Sequence, residues 1–126
     1  MKMVTMTQYR YESSSWKRVL EFIKQENIQT KDHLADILRL SDRKDNYLED
    51  VEYLINNVLH IETAASLLSR DIEAYEKLLA KEFYVDGLTK SIACKRQAIV
   101  ENIKHLEDEF RKLKDKIESF LTNTLL

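Results

Sequence analysis

Between Val51 and Leu79 apolar residues recur at alternating steps of three and four without one interruption. One series is Val51, Val58, Ala65, Ile72 and Leu79; the other is Leu54, Ile61, Leu68 and Tyr75. These are the a and d positions of a coiled-coil seam, and they confine the segment to a helix with an apolar stripe down its length. The spacing predicts one long central helix over about 45–84, its regular part running from Tyr47 to Phe83. Leu48, Ile55, Leu59, Ala64, Leu67 and Leu78 widen the stripe beyond a bare seam, as expected of a helix packed against more than one neighbour.

The rest of the chain offers few places to turn. Its 126 residues contain no proline and one glycine, and these are the residues that end helices, so few and long elements are expected. The length is that of a single domain. A charged fraction of 33% beside a hydrophobic fraction of 44% fits helices that are apolar on one side and solvated on the other. No run approaches the roughly 18 consecutive apolar residues of a membrane span, and MKMVTMTQYRYESSS shows no apolar core of a secretory signal. Cys94 is the only cysteine, which excludes an intrachain disulfide and fits a reducing, cytoplasmic compartment. A net charge of −2 argues against a protein that grips nucleic-acid phosphates.

Residues 1–12 show no periodicity and are expected to form a flexible arm ahead of a single helical domain over 13–126. Ser13, Ser14 and Ser15 are candidate caps for a first helix over about 14–41. Its seam is Trp16, Leu20 and Ile23, then Leu34 and Ile37, with polar Asn27 and Thr30 between. Either the polar pair fixes register within one helix, or the helix breaks there and the bundle has four helices. Ser41–Asn46 forms the first boundary, with Asp42, Asp45 or Asn46 as caps. Asp86–Gly87 forms the second, where Gly87 can take a left-handed conformation and Leu88 the hydrophobic contact that closes such a cap. A last helix over about 89–122 has Ile92, Ile99, Leu106, Leu113 and Phe120 at one seam position. Ile103, Phe110 and Ile117 occupy the other, with Arg96 and Thr124 polar at its ends.

Charge follows the same division. Residues 1–43 carry +2, residues 44–86 carry −6 and residues 87–126 carry +2, so an acidic middle helix lies between two basic ones. Glu73/Lys77, Glu107/Arg111 and Asp108/Lys112 are spaced as helix-surface ion pairs. The expected fold is all-α: an elongated, antiparallel, coiled-coil-like bundle of three long helices, or four if the first is broken near Asn27–Thr30.

Candidate chemistry is sparse. His33, His60 and His105 fall on three different helices, and none has the glutamate three residues earlier that di-iron bundles use. His105 shares a face with Glu101 and Asp108, but that face is expected to be solvated. The exposed histidines also raise phosphotransfer, though the flanks VLHIET and TKDHLAD lack the neighbours such sites use. Glu49, Glu52, Glu73 and Glu76 form carboxylate pairs one turn apart that could share a magnesium ion, which suggests a small metal-dependent nucleotide hydrolase as an alternative. The same spacing is common on any solvated helix face. The basic run Arg111, Lys112, Lys114 and Lys116 is interrupted by Asp115 and faced by acids, unlike a nucleic-acid patch. Cys94 is expected outward with no base beside it.

No catalytic residue and no cofactor is therefore assigned. The expected function is a non-catalytic helical interaction protein that self-associates or binds a partner protein, with no nucleic acid and no membrane. Phe22, Leu59 and Leu67 have no evident partner within three narrow rods, and with Trp16, Asn27 and Thr30 they make the candidate interaction surface. A further alternative is a regulatory adaptor that takes a partner helix beside the Asn27–Thr30 interruption.

Overall fold

Three helices account for every residue described apart from Gly87: α1 (Met3–Leu40), α2 (Lys44–Glu82) and α3 (Thr89–Leu125). The computed structural model describes residues 3–40, 44–82, 87 and 89–125, and no strand occurs among them. The helices have 38, 39 and 37 residues, which at about 1.5 Å per residue makes each one about 55–58 Å long.

Ion pairs read out the topology. Lys17 pairs with Glu76 and Lys31 with Glu62, and both pairs of residue numbers sum to 93. His60–Glu109 and Lys116–Tyr53 likewise both sum to 169. A constant sum means antiparallel neighbours, so α1 and α3 each run against α2. Glu12–Arg96 and Glu26–Lys114 instead differ by 84 and 88, which makes α1 and α3 parallel. Each outer helix packs along α2, as the acidic middle helix leads one to expect.

The nine seam residues of α2 are all 5% exposed or less, Tyr75 and Ile72 completely buried. Leu20, Ile23 and Leu34 of α1 close on them from one side, and Ile92, Ile99, Ile103, Leu106 and Leu113 of α3 from the other. Removing such side chains from water contributes about 1.5–3 kcal/mol each before conformational entropy is subtracted. Ile55, Ala64 and Leu78 pack partly against this core. Leu48, Leu59 and Leu67 do not, and remain about half exposed.

One expectation about α1 is corrected, and one alternative is decided. The segment 1–12 is helix from Met3 onward, because the seam continues backwards from Trp16 through Ser13 and Tyr9 to Met6. Met6 is 6% exposed and Ser13 is fully buried, so Ser13 is no cap; it sits mid-helix and donates from Oγ to Glu76 Oε2 at 2.6 Å. Ser15 is also inside the helix and donates to the Tyr11 carbonyl. The alternative decided is at Asn27–Thr30, through which α1 runs unbroken. Neither residue removes a backbone donor, so nothing there interrupts the hydrogen-bond ladder. The polar side chain is instead taken into the core: Asn27 is 1% exposed and its Nδ2 finds no acceptor, at a cost of about 1–3 kcal/mol.

At the boundaries, Asp45 and Asn46 fall inside α2 rather than ahead of it, while Asp42 lies outside the described residues. Gly87 has a φ of +96°, a conformation that side chains with a Cβ avoid. Residues 83–86 and Leu88, where the rest of that cap is expected, are outside the described residues.

Candidate functional site

Polar side chains converge where α1, α2 and α3 cross near Tyr75. Arg96 grips Glu12 through two hydrogen bonds, Nε to Oε1 and Nη2 to Oε2, both 2.7 Å. Lys17 and Ser13 hold the two oxygens of Glu76. Burial pushes the Glu76 carboxyl up, but these two donors and the Lys17 charge outweigh it and keep it below the usual carboxylate range. The Glu12 carboxylate holds Arg96 more firmly protonated, against a smaller opposing effect of burial.

Tyr75 lies beneath this cluster with its ring 5.5 Å from that of Trp16, and its hydroxyl has no partner. Burial, then the Glu12 charge, pushes its pKa from 10 to about 12. Below pH 10 both folded and unfolded chains keep this phenol neutral. Between pH 10 and 12 only the unfolded chain ionises, so stability falls as pH rises through that window, by about 3 kcal/mol in total. Tyr75→Phe should remove this share of the alkaline sensitivity and leave stability at pH 8 within about 1 kcal/mol of wild type. Urea unfolding at pH 8 and pH 11.5 measures both, and an unchanged alkaline loss in Tyr75→Phe would refute the assignment. The cluster braces the bundle: Ser13 is fully buried, and the Glu76 carboxylate that takes its hydroxyl is shared with Lys17.

The acidic residues of α2 do not converge. Glu49, Glu52 and Glu73 are exposed. The two pairs are separated by 21 residues from Glu52 to Glu73, or about 32 Å along the helix. Glu76, the fourth, is committed to α1. A different acid meets the histidines. Glu109 of α3 takes His105 Nε2 at 2.6 Å and His60 Nε2 of α2 at 3.4 Å. Among the described residues no group of three or more histidine, cysteine or acidic side chains has metal-holding geometry. Glu101 accepts from Gln97, and Asp108 takes Arg111 where the spacing pointed to Lys112. Cys94 is exposed, as is His33.

The six candidate surface residues separate into three groups. Trp16 and Asn27 are inside the bundle, at 7% and 1% exposure, and cannot contact a partner from there. Thr30 is half-buried. Phe22, Leu59 and Leu67 are exposed, at 59%, 45% and 55%. Phe22 and Thr30 border one cleft with an apolar floor. Phe22 projects from α1 beside α3, its ring edge-on to Phe110 at 6.3 Å, and the cleft of about 660 Å³ continues along Ile117 and Leu121. A second cleft between α2 and α3 holds Tyr47, Phe120 and Tyr53. Lys116 crosses it and donates to the Tyr53 hydroxyl at 3.1 Å, which lowers that phenol's pKa.

No described helix is long and apolar enough to cross a membrane. The chain matches no protein-family model, no curated protein and no solved structure. Its class is the one defined by its fold, an all-α three-helix bundle.

Proposed function

We propose that the protein is a non-catalytic interaction module that works by self-association, forming a homo-oligomer in the cytoplasm through helical surface. The observation that carries this reading is the pairing of a filled core with large apolar side chains left outside it. The α2 seam is already covered on both sides, yet Phe22, Tyr53, Leu59 and Leu67 remain 45–59% exposed. Side chains of that size on a narrow rod are covered when a second rod lies against them. We read the a/d packing as a coiled coil whose left-handed winding keeps the 3.5-residue stripe facing inward over nearly 40 residues. In such a seam a buried amide like that of Asn27 sets register at a cost in stability.

Light scattering across a concentration series tests the reading. A mass of twice the 15.0 kDa chain, or a higher multiple, is the expected result at high micromolar concentration. A monomer under those conditions overturns it.

A further inference from the structure

We propose that the self-association surface is the cleft between α1 and α3, and that two copies meet there about a two-fold axis passing between Lys114 and Asp115. This rests on the self-association reading above and assigns it a place. The two helices that flank the cleft pack along α2, and they touch one another through a few side-chain contacts: Glu12–Arg96, Glu26–Lys114 and Phe22–Phe110. The space between them is open to a further helix.

Charge selects the occupant. Four charged residues of α3 line the cleft in the order Arg111, Lys114, Asp115, Glu118: two cations, then two acids. A two-fold axis at the centre of that run reverses it, so Arg111 of one copy meets Glu118 of the other and Lys114 meets Asp115. Every opposed pair is then complementary, and the four charges cancel. Asp115 and Glu118 form no ion pair among the described residues. Arg111 is held by Asp108 on a side chain 71% exposed, an arrangement that holds it weakly. Lys114 spans to Glu26 across the cleft.

The apolar residues obey the same axis. Phe22 and Phe110 lie on one side of it, and Ile117 and Leu121 on the other, flanking the point of α3 that the axis brings opposite Phe110. The operation that pairs the charges therefore lays the exposed Phe22 of each copy against Ile117 and Leu121 of the other. A single patch supplies knob, socket and both signs of charge, which is what an isologous contact requires.

Charge reversal with mixing tests the assignment, read by sedimentation velocity with helicity checked by circular dichroism. Arg111→Glu places two like-charge pairs across the axis, and so does Glu118→Arg. Each variant alone should dimerise at least about tenfold more weakly than wild type. An equimolar mixture of the two should recover the dimer, because each Arg111→Glu chain then meets an arginine at position 118 and each Glu118→Arg chain meets a glutamate at 111. A wild-type dimer whose single variants associate normally, or whose mixture stays monomeric, overturns this surface while self-association stands. A monomeric wild type removes both.

Discussion

Trp16→Ala is expected to cost the fold about 3–5 kcal/mol, the range for removing a large aromatic side chain from a packed interior. A domain of this size has about 5–15 kcal/mol in total, so the variant should be marginal at 37 °C. Trp16 is 7% exposed, and its ring lies 5.5 Å from that of Tyr75 at an angle of 52°. Truncation opens a void beside a residue that is itself completely buried, in a core that also holds Leu20 and Ile72. One effect works the other way. The Tyr75 hydroxyl lacks a partner, and a water admitted to the void could bond it, recovering about 1 kcal/mol. Urea unfolding followed at 222 nm gives the number. A loss below about 1 kcal/mol would refute the placement of Trp16 in the packed interior.

The seam spacing that puts Trp16 inward also shows where a sequence stops being informative for such a chain. The α2 seam and most of the α3 seam are legible because period alone decides which residues face inward. All nine α2 positions are buried as the spacing requires. Counting fails where an inward position is polar. Ser13 and Asn27 interrupt the apolar pattern, yet both are buried, one because Glu76 accepts its hydrogen bond and one without a partner for its amide. Carrying the three-four count back from Trp16 to Tyr9 and Met6 was the signal that would have found the start of α1. Cross-helix meetings were not legible at all. His60 and His105 share Glu109 only because α2 and α3 pair at a particular register, and register is set by packing and turn length rather than by either helix alone. The Arg111–Glu118 run is visible as letters, but its place beside Phe22 depends on that same register.

Deleting residues 1–12 should lower stability by about 2–4 kcal/mol, a fall in Tm of about 10 °C or more. A flexible arm would make the deletion silent. Within α1, however, Met6 is 6% exposed and belongs to the core, and Tyr9 packs partly against it with the Arg96 guanidinium 5.9 Å from its ring centre. Burial of Met6 alone contributes about 1.5–3 kcal/mol. Loss of Glu12 also leaves Arg96, whose side chain is 35% exposed, without its bidentate partner, which adds about 1–2 kcal/mol. Conformational freedom regained by the chain offsets part of the total, because ordering each residue has its own entropic cost. The entropy term explains why the estimate lies below the plain sum. Differential scanning calorimetry of the shortened chain decides the matter, with Glu12→Gln alongside to separate the ion pair from the apolar burial. The substitution should reproduce the smaller part of the loss. A Tm within a degree of wild type after the deletion would mean that Met6 and Tyr9 add nothing to the end of the bundle they cover.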